Sequence, residues 1–142
     1  VEILPGAILG FDSLGVTIEN DVPKLFPQLS GLKIGNNCRI GVNCSISKGT
    51  LDYTYVGNNV MLGDFAHIGH NSIIGDNVVI TAGSIICGKV EIDQNVWIGA
   101  RSTILEGIKI CSNAKIGLGA VVLKNITKPG TYLGNPAKLY KI

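Results

Sequence analysis

Histidine is the side chain best suited to moving a proton near neutral pH. This chain has two, both in the run His67-Ile68-Gly69-His70-Asn71. A surface histidine usually carries no chemistry, so His70 matters only for what stands beside it. Eighteen residues later comes Gly88, whose missing side chain leaves a backbone N–H uncovered. A base next to an open N–H donor is what acyl transfer needs: one group takes the proton from a nucleophile, the other holds the developing oxyanion. His67, Asn71 and Asp64 are the candidate supporting groups.

The pairing of His70 with Gly88 holds only if the chain repeats with an eighteen-residue step. It does. Hexads made of a bulky aliphatic, usually Gly, two polar or small residues, a small residue and a free position begin at Ile34, Ile40 and Ile46. After an interruption at Asp52 to Tyr55 they resume at Val56 and continue through Leu62, Ile68, Ile74, Ile80, Ile86, Ile92, Ile98, Ile104, Ile110, Ile116 and Val122. Neither a strand of period two nor a helix of period 3.6 fits such a run. Each hexad is one short strand plus a corner, and three hexads close one triangular coil. The first and fifth positions face the axis, and Gly at position two relieves crowding at the bend. Fifteen hexads give about five coils, a prism about 24 Å tall at the spacing of neighbouring strands. His70 then sits on a corner, directly below Gly88.

On this reading, residues 34–128 form a parallel β-helix. Residues 1–33 are an irregular opening coil with an excursion at Glu19 to Ser30, where Pro23 and Pro27 disfavour a regular strand. Residues 129–142 are a tail that leaves the helix at Pro129. Composition agrees with short strands and frequent corners: 46% apolar residues and 19 glycines beside only 6% aromatics. A formal net charge of +2 lacks the basic excess of a nucleic-acid binder. No run reaches the roughly 18 apolar residues of a membrane span, and the opening VEILPGAILG lacks the signal-peptide pattern. A cytoplasmic protein is therefore expected. Cys38, Cys44, Cys87 and Cys111 show no CxxC spacing and read as small buried or half-buried residues rather than a disulfide framework.

The span from Ile34 to Ile126 resembles the hexapeptide-repeat acyltransferases, and this resemblance, not the periodicity, implies a left-handed coil and a homotrimer. GAILGFDSLG, FPQLSGLKIGNNCRIG, KGTLDYTYVGNNV and HIGHNSIIGDN are similar to the lipid A pathway N-acyltransferases, which acylate a UDP-linked glucosamine from an acyl carrier protein. VWIGARSTILEGIKI, AKIGLGAVVLKNI and YLGNPAKLY look more like acetyl-CoA-dependent sugar acetyltransferases of the bacillosamine and sialic acid type. Both likenesses put the general base at His70 and the oxyanion glycine at Gly88. They also imply backbone contacts to a pantetheine arm at Ala100 and Leu118. Lys124 and Lys138, with Lys128 and Lys141, fall where the tail begins and ends and could hold the phosphates of CoA; solvation alone would also account for them.

The chain departs from the pattern at two places. Gly107 stands where the lipid A enzymes have a second functional histidine, and Asn71 follows the base where the acetyltransferases often carry an acid. The expectation is an acetyl-CoA-dependent N- or O-acetylation of a nucleotide-linked sugar, with acyl-carrier-protein-dependent acylation of a UDP-3-O-acylglucosamine as the alternative. No metal is expected: two histidines three residues apart fall short of the three protein ligands of a catalytic zinc in a carbonic-anhydrase-like relative. A non-catalytic β-helix would leave His70 and Gly88 unexplained, and Cys87 as nucleophile lacks an assured activating base.

Overall fold

The computed structural model describes residues 1–140. They form a left-handed parallel β-helix whose three faces are three parallel sheets. Face one stacks Glu2–Ile3, Arg39–Ile40, Met61–Leu62, Val79–Ile80, Trp97–Ile98, Ala114–Ile116 and Gly130–Leu133. Face two stacks Ile8–Phe11, Ser45–Ser47, His67–Ile68, Ile85–Ile86, Thr103–Ile104 and Val121–Val122. Face three stacks Leu32–Ile34, Thr54–Val56, Ile73–Ile74, Glu91–Ile92 and Lys109–Ile110. Among the described residues no helix is long and apolar enough to cross a membrane.

Within the repeat, paired strands put like hexad positions on one another, as in Ile68 on Ile86 and Ile80 on Ile98. The first-position residues from Ile40 to Val122 are almost wholly buried, and the fifth positions, such as Val60, Val78, Val90 and Ala114, fill the remaining interior. Three fifth positions are serines, and each buried hydroxyl donates to a backbone carbonyl: Ser72 to Cys87, Ser84 to Gly99, Ser102 to Gly99. A buried hydroxyl without a partner is costly, and among the described residues Ser47 Oγ, at position two of its hexad, is the one such side-chain atom.

The corners differ from the sequence-based expectation in one respect. The left-handed residue is at position four, at Asn59, Asn71, Asn77, Asn95 and Asn113 among others (φ between 56° and 63°); asparagine tolerates that region better than most residues. Glycine at position two answers a different demand. A Cβ on Gly69 would meet the Gly88 nitrogen at 2.6 Å, and one on Gly99 the Leu118 nitrogen at 2.5 Å. It permits close approach between coils rather than the bend itself. On the corner between faces three and one, Asn37, Asn59, Asn77 and Asn95 form a ladder of side-chain amides, Nδ2 to Oδ1, at 3.3, 3.0 and 3.1 Å.

Three further differences concern the ends. Face two has six strands, so the helix has about six turns rather than five coils, because residues 2–11 already pair with the second coil through backbone hydrogen bonds that leave no hexad signature. The excursion is a regular hairpin, Val16–Glu19 with Val22–Leu25, turned by Asn20 and Asp21 at φ 51° and 61°, as a two-residue type I′ loop requires. Pro23 is accepted because it faces Ile18, one step from the turn, where alternation of the antiparallel ladder points its missing N–H away from the partner strand. Nor does the tail leave at Pro129: Gly130–Leu133 extends face one, with Tyr132 beside Ile116, before Lys138–Leu139 folds back antiparallel.

Ile116 and Lys115 share one strand and face opposite ways, Ile116 buried and Lys115 exposed. Ile116→Ala should lower the unfolding free energy by about 2–5 kcal/mol, and Lys115→Ala by less than about 0.5 kcal/mol. Urea titration of both variants checks this; equal losses would contradict the inward ladder.

Candidate active site

Face two meets face three at a corner that carries His70, Gly88, Glu106 and Lys124 on successive coils, as fixed by the pairings of the strands before them. Both interruptions of the repeat fall on this corner: the hairpin of residues 16–25 leaves it in the first coil, and the segment 48–53 leaves it in the coil below His70. Leu29 and Ser30 donate backbone hydrogen bonds to Thr50 O (2.8 and 3.0 Å), tying the two insertions together.

The imidazole of His70 lies against Gly88. Its Nε2 is 2.6 Å from where a Cβ on residue 88 would be, so any side chain there would displace the ring. Gly88 is buried, and among the described residues its N–H has no acceptor. That is uncommon for a buried amide. At three other third positions the amide is capped by a side chain from the next coil: Asn36 N–H donates to Asn58 Oδ1 (2.9 Å), Val42 N–H to Asp64 Oδ1 (2.8 Å) and Asn58 N–H to Asp76 Oδ1 (2.7 Å).

Asn71 sets the ring. Its Oδ1 lies 3.0 Å from His70 Nδ1 and accepts from Thr50 N–H (3.1 Å) and the Thr50 hydroxyl (2.6 Å). Its Nδ2 donates to Asp52 O (2.8 Å), and its own N–H donates to the Thr54 hydroxyl (2.8 Å). With Nδ2 engaged by a carbonyl, the amide can present only its oxygen to His70. That holds the proton on Nδ1 and leaves Nε2, the nitrogen at Gly88, as the free base. Sequence reasoning named Asn71 but not Thr50, Asp52 or Thr54. The available signal was the interruption of the repeat one coil before the histidine.

The other named residues lie elsewhere. His67 is on face two, half-buried, sharing a 2.7 Å hydrogen bond between its Nδ1 and Ser45 Oγ; burial lowers its pKa below the ordinary 6.5. Asp64 caps Val42 on the corner between faces one and two and is not brought to His70 within the chain. That same corner carries Ala100 and Leu118, which line one shallow groove of about 480 Å³ with Trp97 and Thr131. Lys124 and Lys138 do come together, in a hollow of about 260 Å³ bounded by Leu123, Pro136 and Ala137. Lys141 lies outside the described residues. Cys87 precedes Gly88, and its thiol is pushed up by burial and then by the charge of Glu106; a protonated thiol is a poor nucleophile.

The family model described as bacterial transferase hexapeptide (six repeats) matches residues 53–88 and 89–124, and the hexapeptide repeat of succinyl-transferase matches 31–51. A UDP-3-O-acylglucosamine N-acyltransferase of Shewanella denitrificans is 37% identical over 127 residues, which cover 89% of this chain and 37% of that protein. The chain thus spans little more than a third of the curated relatives it matches. LpxA from Acinetobacter baumannii superposes with a TM-score of 0.86 at 28% identity, over 96% of this chain and 52% of that one. The acetyltransferase domain of PglB from Neisseria gonorrhoeae matches with a TM-score of 0.65 over 97% of this chain and 56% of that one; at 20% identity it shares the fold.

The lowered pKa of His67 means that the unfolded chain binds more protons than the folded one just below pH 6.5. Stability should therefore fall as pH drops through that window, and His67→Gln should flatten the dependence. Urea midpoints at pH 5 and pH 7.5 test it; an unchanged slope in the variant would refute the assignment.

Proposed function

Because this chain belongs to the hexapeptide-repeat acyltransferase family, we propose that it transfers an acyl group from a thioester donor to a nucleotide-linked sugar, with His70 as general base and the Gly88 N–H as oxyanion donor. The observation that carries this is the seating of the His70 ring in the space a side chain at 88 would occupy, beside an amide without an acceptor.

The sugar amine attacks the thioester carbonyl as His70 Nε2 accepts its proton. The N–C bond forms and the carbonyl oxygen becomes an oxyanion that the Gly88 N–H stabilises. Collapse breaks the C–S bond, His70 returns the proton to the departing sulfur, and an amide and a free thiol result.

The acceptor best supported is a UDP-linked 3-O-acylglucosamine, since relatives at 33% and 37% identity bear that name over most of this chain. With that acceptor, an acyl carrier protein takes precedence over acetyl-CoA as donor. Acetyl-CoA remains the second reading because Lys124 and Lys138 share one hollow, Lys124 on the His70 corner, where two ammonium groups could hold the phosphates. The homotrimer that the family resemblance implies fits the separation of the two corners. His70 and the Ala100–Leu118 groove stand at opposite edges of face two, so a single chain offers one wall of a site, and the groove of a neighbouring copy supplies the other.

Thiol release is the test, with acyl carrier protein and acetyl-CoA as donors and UDP-linked aminosugars as acceptors. His70→Ala and Gly88→Ala should each lose on the order of 10²–10⁴-fold in kcat and keep their circular dichroism and a mass of three 14.9 kDa chains. Most of the activity surviving in His70→Ala would end the assignment. Release with acetyl-CoA alone would make the second reading the correct one.

A further inference from the structure

The carboxylate of Glu106 stands one coil above Gly88 on the same corner. At other corners an acidic side chain in that relation folds back onto the amide below, as Asp64 does on Val42 and Asp76 on Asn58. A carboxylate so placed over Gly88 would occupy the oxyanion donor and repel the oxyanion itself. In the structure it does neither: Glu106 Oε1 is drawn aside to Lys89 Nζ at 3.4 Å.

Lys89 is itself unusual. It occupies the left-handed fourth position of its corner at φ 57°, which most corners fill with asparagine or glycine and which costs lysine backbone strain. The ion pair is mostly exposed, 62% for Lys89 and 54% for Glu106, so it contributes little to stability. The charge of Glu106 nonetheless reaches the residue before Gly88, since it helps to hold the Cys87 thiol protonated.

We propose that Lys89 is a positioning residue: it holds the Glu106 carboxylate off the Gly88 amide and cancels its charge there, so that this N–H stays free for the oxyanion. The inference rests on the acyl-transfer reading of the site and adds to it a pair that neither the repeat nor the likeness to relatives assigns. It also makes the role of Lys89 conditional on Glu106, which separates it from a lysine that simply binds substrate.

A double-mutant cycle reads this directly. Lys89→Met should lower kcat on the order of tenfold with KM within about twofold, because only transition-state charge is affected. In a Glu106→Gln background the same substitution should change kcat by less than about twofold. An equal loss in both backgrounds, or no loss in the first, overturns the proposal. A second readout needs no substrate: the Gly88 amide proton, observed by ¹H–¹⁵N NMR, should move downfield in Lys89→Met as the carboxylate approaches and stay in place in the double variant. If the wild-type chain shows no thioester turnover with any donor, the acyl-transfer reading fails, and the amide shift alone then decides whether Lys89 restrains Glu106. An amide that does not move in Lys89→Met overturns the restraint.

Discussion

Everything in this molecule depends on one closure condition: each coil must return to its starting face after eighteen residues, so that an aliphatic side chain lands on the aliphatic side chain below. The interior is too narrow to forgive a slip. A one-residue shift would turn a buried ladder such as Ile68, Ile86 and Ile104 outward and put the half-exposed residues before them, His67, Ile85 and Thr103, inside. The backbone enforces the same step, since the strands of the three faces hydrogen-bond to their counterparts one coil away and each position-two glycine lies against the next coil.

A strict step has a consequence for chemistry. Corner residues fall on straight lines parallel to the axis, one per coil and about 4.8 Å apart, so a functional group acquires neighbours by arithmetic. His70 has Gly88 above it for the same reason that Ile68 has Ile86. The step also limits where the chain can add residues without breaking a ladder: only at a corner. Both long interruptions, the hairpin and the segment 48–53, use the corner of His70, and the second of them supplies Thr50 and Asp52 to orient Asn71. The departure from the repeat is therefore the part of the scaffold that fixes the tautomer of His70.

This explains what could be read in the sequence and what could not. The ladders, the corner position of His70 and its pairing with Gly88 follow from period alone, because they are statements about which residues stack. The strands of residues 2–11 and the tail strand at Gly130 were not legible, since they join the sheets through backbone hydrogen bonds and carry no hexad. The hairpin was hidden by Pro23, whose harmlessness depends on which side of an antiparallel ladder its nitrogen faces. The relation of Lys89 to Glu106 was equally silent: stacking puts the two near one corner, but which way a long side chain turns depends on the charge beside it.

The same geometry explains why a prism of this kind keeps its polar groups on edges rather than in a cleft. The interior is filled by first- and fifth-position side chains, and the polar atoms it admits include the hydroxyls of Ser72, Ser84 and Ser102, each donating to a carbonyl, and that of Thr54, which accepts from the Asn71 N–H. The acyl-transfer reading needs a lone pair free of such partners, and His70 offers one outside the core, where water competes and the ring can turn. Here the chain answers with local anchoring: Asn71 bonds Nδ1, the absent side chain at 88 gives the ring its seat, and the two insertions brace the corner from below. What this arrangement lacks is a wall on the far side of the ring to exclude water. On the corner of a convex prism the chain bends away from the ring, so the acyl-transfer reading of His70 depends on a second surface brought against that corner.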